Sequence, residues 1–176
     1  MDIVNVEIKA RCDQPSSVRS ILIGLDADYR GLDHQIDTYF NAPHGRLKLR
    51  EGNIENSLIF YARNDQAGPK QSDIKLCVLP AGTCLKNVLE KAYGVKAVVD
   101  KKREIYFIDN VKFHIDDVQG LGSFVEIEAI DKDGTIGKTR LREQCDQYMV
   151  VLQIKDSDLL TRSYSDMVLE QENRAS

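Results

Sequence analysis

The chain reads as an α+β domain in which eight antiparallel strands close into a β-barrel or tunnel with flanking helices. Three observations predict this. Strand-like segments carry charge at every second residue: Glu7, Lys9 and Arg11; Arg46, Lys48 and Arg50; Lys101 and Arg103; Glu126 and Glu128. Apolar residues fill the alternate positions, as in Val6-Ile8-Ala10, Leu47-Leu49 and Val125-Ile127-Ala129. Side chains two apart on a strand share a face, so each strand has one apolar and one charged face. Finally, most strands are joined by short turns and there is no βαβ alternation, which favours antiparallel pairing. If both faces are used, closure puts charge in the lumen and the apolar faces outward, under the helices.

Residues 3–11 open as a strand. Asp13-Gln14-Pro15 starts a helix, with proline tolerated in its first turn, and Val18, Ile21, Leu22 and Leu25 share one helical face. Residues 27–41 are extended, rich in Tyr, Ile, Thr and Phe. Residues 45–50 and 58–63 form a strand pair around the turn Glu51-Gly52-Asn53. Gly68-Pro69 precedes a strand at 70–79, and Pro80-Ala81-Gly82 ends it. Thr83 can cap a second helix carrying Leu85, Val88, Leu89 and Ala92. Strands at 96–107 and 112–118 flank the hairpin turn Asp109-Asn110, and 124–130 follows Gly120-Leu121-Gly122. A third helix carries Leu141, Cys145, Tyr148, Met149 and Leu152. There is no internal repeat or linker, so one domain spans 1–170, with 171–176 read as a flexible polar tail.

The 176 residues suffice for one domain with a real core. No apolar run approaches the ~20 residues of a membrane span. The start, MDIVNVEIKARC, lacks the basic and apolar regions of a signal peptide, so the expected location is cytoplasmic, without membrane association. Cys12, Cys77, Cys84 and Cys145 form no CxxC pair, which argues against zinc or a disulfide framework; they are read as reduced and buried. The net charge of −4 argues against a nucleic-acid partner.

The basic set is Lys9, Arg11, Arg46, Lys48, Arg50, Arg63, Lys70, Lys75, Lys101 and Arg103. Where two such groups meet at about 5 Å, repulsion costs roughly 3 kcal/mol at an effective dielectric near 20. Acids or a polyanionic ligand must offset it. Glu7, Asp116, Glu126 and Glu128 are the acids available. Carboxylates beside a basic cradle suit Mg²⁺ or Mn²⁺ carried by a polyphosphate. One strand such as RLKLR, taken alone, is also what a solvated outer face looks like; four of them argue for a charged interior. No GxxxxGK[ST] or GxGxxG motif is present, which excludes a P-loop or dinucleotide site. His114 shares the parity of Asp116 and is expected to face the lumen. His34 and His44 read as surface or turn residues. Asp37 and Tyr39 are candidates for contact with a base or ribose, or for a structural role.

These residues bring out a family resemblance over nearly all of 3–169. Asn5-Val-Glu7-Ile-Lys9 resembles the ExExK signature of the CYTH superfamily, the triphosphate tunnel enzymes. DHQIDTYFNAPHGRLKLREG (33–52), Tyr61-Ala-Arg63, Gly68 to Asp73, Lys101-Lys-Arg103 and FHIDDVQGLGSFVEIE (113–128) resemble its class IV adenylyl cyclase branch. ExExK alone is a weak pattern; the ordered combination is a strong one. The resemblance implies an eight-stranded tunnel with ATP or another triphosphate as ligand, divalent metal (Mg²⁺ or Mn²⁺), and a homodimer. It implies metal at Glu7, Glu126 and Glu128, and triphosphate on Lys9, Arg46, Lys48, Arg50, Arg63, Lys75, Lys101 and Arg103. Glu7, Lys9, Asp116 and Glu126 are the implied catalytic set. The implied reaction is conversion of ATP to 3′,5′-cyclic AMP and pyrophosphate. Triphosphate hydrolysis, or triphosphate binding without turnover, uses the same cradle. The chain departs from the signature at Asn5, where the first Glu is replaced by a neutral amide that can offer a metal only its carbonyl oxygen.

Overall fold

The computed structural model describes residues 2–62 and 69–175. Alternation of charged and apolar residues becomes a barrel of eight strands: β1 (Asp2–Arg11), β2 (Asp28–Phe40), β3 (Arg46–Glu51), β4 (Ser57–Ala62), β5 (Lys70–Val78), β6 (Val95–Ile108), β7 (Val111–Val118) and β8 (Gly122–Asp131). They close in the order β1-β5-β4-β3-β2-β6-β7-β8, with every neighbouring pair antiparallel. Closure removes all free strand edges. Helices α1 (Pro15–Gly24), α2 (Leu85–Tyr93), α3 (Lys138–Val151) and α4 (Tyr164–Ala175) lie outside or at one end. No helix among the described residues is long and apolar enough to cross a membrane.

The main apolar core is on the outside of the barrel. Val6, Ile8 and Ala10 of β1, Val111, Phe113 and Ile115 of β7, and Val125, Ile127 and Ala129 of β8 form one layer. Val18 and Leu22 of α1 and Leu141 and Cys145 of α3 cover it. A smaller cluster places Leu89 of α2 over Phe40 and Leu49. With the outward parity satisfied by helices, the other parity of each strand must line the lumen.

Two glycines fit the chain into this frame. Gly45 enters β3 with φ +63°, and a Cβ there would stand 2.7 Å from the Phe60 ring. At Gly52 in the β3–β4 turn, a Cβ would stand 2.7 Å from Asp33 Oδ1. That close approach lets the buried Asp33 carboxylate accept the Ile54 and Glu55 amides at 2.9 and 3.0 Å, folding the turn against the barrel.

One expectation is corrected and one element is added. Helix α4, absent from the sequence reading, runs to Ala175 and packs Met167, Val168 and Leu169 against Tyr39, Val99, Val118 and Phe124 at one end of the barrel, while 171–174 are exposed. Its apolar residues are consecutive, so they lack the spacing that announces an amphipathic helix. The cysteines are all free, but only Cys12 and Cys145 are buried. Cys77 is exposed on the outward parity of β5, and the exposed Cys84 precedes α2.

Phe113 is fully buried and meets the Tyr148 ring edge-on at 4.8 Å. Phe113→Ala should therefore lower the unfolding free energy by about 3–5 kcal/mol, measured by urea denaturation.

Candidate active site

The lumen holds a cavity of ≈ 430 Å³, within the range typical of small-molecule sites. Its ends differ. At one end Tyr164 of α4 sits beneath Lys9, whose Nζ lies 3.5 Å from the ring centroid, and Asp166 of α4 holds Arg46 at 2.9 Å. Arg46 begins β3, so the β3–β4 turn marks the opposite, open end. There Ile54 and the β5 residues Leu76 and Val78 contribute apolar surface to the lining. Ile54 and Val78 remain 45% and 75% exposed.

Between the ends lie two ion clusters. In the first, three cations from two strands meet Asp37 of β2. Asp37 Oδ1 accepts Arg50 Nε at 2.8 Å; Oδ2 accepts Arg50 Nη2 at 2.8 Å, Lys101 Nζ at 2.7 Å and Lys48 Nζ at 3.1 Å. The second is built on β6, β7, β8 and β1. Arg103 donates to both oxygens of Asp116, at 2.6 and 2.5 Å, and to Glu126 at 2.9 Å. Lys9 reaches Glu126 Oε1 at 2.6 Å, His114 Nδ1 reaches Oε2 at 3.0 Å, and the Tyr164 hydroxyl donates to Asp116 at 2.8 Å. Register explains the grouping: Lys9 is paired with Glu126, Arg103 with Asp116, and His114 with Glu126.

Burial and partners pull against each other in these clusters. Desolvation favours a neutral Asp37, but Arg50, Lys101 and Lys48 outweigh it and hold the carboxyl well below its usual range. Glu126 is likewise kept ionised against its burial by Arg103 and Lys9. Burial lowers the Lys101 ammonium to about 7, with Arg50, Arg103 and Lys48 pushing the same way against Asp37. Burial, then Arg103 and Lys112, lower His114 to about 4. His114 is therefore neutral near pH 7 and donates from Nδ1 to Glu126.

Of the sequence-predicted site residues, Glu7, Lys9, Lys48, Arg50, Lys101, Arg103, Glu126 and Glu128 line the cavity. Asp116 stands one step behind, gripping Arg103. Arg46 is at the capped end. Lys75 is a correction: it is exposed on the outward parity of β5, paired with Phe60 and Asp2, and does not line the cavity. Arg63 lies outside the described residues. Asp37 meets the cation cluster, which the sequence reading did not anticipate.

Glu55, Lys112 and Tyr164 were missed. Lys112 could have been found, since it shares the parity of His114 and Asp116. Glu55 sits in a turn and Tyr164 after a long connection, where parity has no meaning. Glu55 pairs with Lys112 and accepts Arg50 Nη1 at 3.2 Å.

Metal fit rests on fewer carboxylates than expected. Among the described residues, no three His, Cys, Asp or Glu side chains gather as a metal cluster. Both Glu126 oxygens are engaged by Lys9, Arg103 and His114. What remains is Glu7 facing Glu128 across the β1–β8 pair, with Asn5 donating to Glu128 at 2.5 Å. Asn5 Oδ1 is buried without a hydrogen bond. Two carboxylates and this carbonyl oxygen form a hard, all-oxygen donor set that suits a divalent cation.

The model of the CYTH domain matches residues 4–164. The chain belongs to the CYTH family. A curated relative, "Putative adenylate cyclase" of Methanocaldococcus jannaschii, is 26% identical over 93% of this chain and 98% of its own length. A Vibrio parahaemolyticus structure, also named as a putative adenylate cyclase, superposes with a TM-score of 0.76 at 20% identity, covering 94% of this chain and 97% of that one. A Hippeastrum protein, described as a putative adenylyl cyclase with a dominant triphosphatase activity, gives 0.59 at 12% identity over 96% of each chain. The two structural likenesses establish the shared CYTH fold.

His114 adds a pH dependence to stability in this CYTH barrel. Its folded pKa of about 4 lies below the unfolded value of 6.5, so between them only the unfolded state takes the proton. Stability should fall as pH drops through this window, by about 3 kcal/mol for this group. Asp37, Asp116 and Glu126, all lowered, add a further loss below about pH 4. Urea midpoints across pH should show both, and His114→Gln should flatten only the upper window.

Proposed function

We propose that this chain binds a nucleoside triphosphate in the barrel and cyclises ATP to 3′,5′-cyclic AMP and pyrophosphate. The observation that carries this reading is the polarity of the cavity. Lys9 and Arg103 lie toward the end capped by α4, Lys48, Arg50 and Lys101 converge on Asp37 between the ends, and the apolar rim with Glu7, Glu128 and Asn5 lies on the open side of Lys9. A triphosphate seated on those cations points its terminal phosphate under Tyr164, away from bulk water. Its α-phosphate and ribose then face the mouth, with the base against Ile54, Leu76 and Val78. Inorganic tripolyphosphate has no group for that apolar rim.

In this pose the ribose 3′-oxygen attacks the α-phosphorus in line. The O3′–P bond forms, the bond from the α-phosphorus to the bridging oxygen breaks, and its electron pair leaves with pyrophosphate. The cation clusters hold the leaving group where its negative charge grows. The 3′-hydroxyl proton passes to water at the mouth. Glu7, Glu128 and the Asn5 carbonyl oxygen would hold a divalent cation such as Mg²⁺ or Mn²⁺, which supplies Lewis-acid stabilisation of phosphoryl oxygens. Charge balance supports that requirement. The described lining includes seven Lys or Arg and five Asp or Glu side chains, an excess of two positive charges, which is less than a triphosphate carries.

Hydrolysis is the second reading. It rests on the likeness in fold to the Hippeastrum protein, and it requires water at the capped end. Incubating the purified chain with ATP and Mg²⁺ or Mn²⁺, and separately with tripolyphosphate, separates the readings. Cyclic AMP plus pyrophosphate is expected. ADP or orthophosphate without cyclic AMP would establish a triphosphatase, and binding without turnover a triphosphate-binding protein.

Asn5 gives a second test. Asn5→Glu adds a carboxylate beside Glu7 and Glu128, and should tighten Mn²⁺ binding about tenfold or more by calorimetry. An unchanged affinity would show that this oxygen set does not hold the ion.

A further inference from the structure

Asp37 is buried to 1% exposure at the centre of the lumen, where it accepts hydrogen bonds from Lys48, Arg50 and Lys101. A carboxylate here repels a phosphate, so its place in an anion cradle needs a reason. Lys101 supplies one. It is the most enclosed cation of the cluster, at 1% exposure. The charges that bear most on it are Asp37 of β2, Lys48 and Arg50 of β3, and Arg103 of its own strand, and of these Asp37 alone favours its ammonium form. Lys48 and Lys101 both bond the same Asp37 oxygen, so the carboxylate also fixes the spacing of the cations that line the cavity.

We propose that Asp37 is a positioning residue that keeps Lys101 protonated and converged with Lys48 and Arg50, so that triphosphate affinity is governed by the protonation of Lys101. The proposal rests on the reading of the cavity as a triphosphate site. The sign follows from burial. The folded protein holds the Lys101 ammonium at about 7, far below an exposed lysine, so the ligand-free cradle loses a positive charge as pH rises past neutrality. A bound polyanion favours the charged form, and affinity falls as the pH rises. Asp37→Asn removes the strongest stabilising charge and moves that fall to lower pH.

The experiment is calorimetric titration of metal-free full-length chain with sodium tripolyphosphate from about pH 6 to about pH 9, for the wild type, Lys101→Arg and Asp37→Asn. Arginine stays charged throughout, so Lys101→Arg reports the ionisation of the ligand and of every other group, including Lys9, whose ammonium burial also lowers. Relative to it, the wild type should lose about tenfold or more in affinity across the range. Asp37→Asn should reach the same loss at least about one pH unit lower. Parallel wild-type and Lys101→Arg profiles would overturn the proposal. A ligand-independent readout is the NMR titration of the Lys101 ε-methylene in the free protein. A wild-type midpoint near 7, and a lower one in Asp37→Asn, are expected. A wild-type midpoint near that of an exposed lysine would refute the proposal even if Asp37→Asn does not fold. If the NMR midpoints behave as expected while the wild type binds no tripolyphosphate at any pH, the triphosphate reading fails and the link from Lys101 to affinity fails with it.

Discussion

Enclosing Lys9, Lys48, Arg50, Lys101 and Arg103 in one barrel is the constraint on which the rest of this structure depends. Each is buried or nearly so, and like charges at such spacing repel by several kcal/mol in a medium of effective dielectric about 20. The barrel meets this with carboxylates that each serve several cations: Asp37 takes Lys48, Arg50 and Lys101; Glu126 takes Lys9 and Arg103; Asp116 takes Arg103. Buried ion pairs are a poor route to stability, because desolvation offsets most of their attraction. Their value here is positional, since shared acceptors leave the cations convergent with a positive excess in the lumen.

The two ends of the barrel divide the work. At the α4 end the described residues contribute apolar packing, Tyr164 on Lys9 and the Arg46–Asp166 pair. The other end keeps apolar residues that no element among the described residues covers: Ile54 and Val78 stay exposed there. The tunnel thereby acquires a direction, with Lys9 and Arg103 toward the α4 end and, at the mouth, apolar surface beside the Glu55–Lys112 pair. In the proposed cyclase reading, that direction sets the α-phosphorus nearer the mouth than the far phosphate.

Asn5 shapes the remaining chemistry. With an amide in place of a carboxylate, the donor set beside Glu7 and Glu128 carries less negative charge, and the Asn5 side chain spends its N–H on Glu128. The cation balance of the lumen thus shifts toward positive by one charge relative to an ExExK chain. In the proposed function this weakens the metal set at one edge of the cavity and strengthens the phosphate cradle.

The barrel was legible in the residues because period-two alternation is a local property: Glu7-Lys9, Arg46-Lys48-Arg50 and Glu126-Glu128 declare a face without reference to anything distant. The same parity announced the outward core of Val125 and Ile127 and the inward His114. It misled at Lys75, whose strand mixes charged and apolar residues on both parities, so composition alone did not say which side faced in. Register across strands decided the rest. It turned Glu126 toward Lys9 and Arg103, brought Asp37 to Lys48, Arg50 and Lys101, and laid Tyr164 of α4 over Lys9, residues separated by up to 155 positions in the chain. Pairing between charges depends on distance, and distance between remote segments is set only when the barrel closes. The sequence by itself determined that a charged lumen exists; the tertiary structure decided which charges neutralise one another, which end is shut, and which cations are left to meet a ligand.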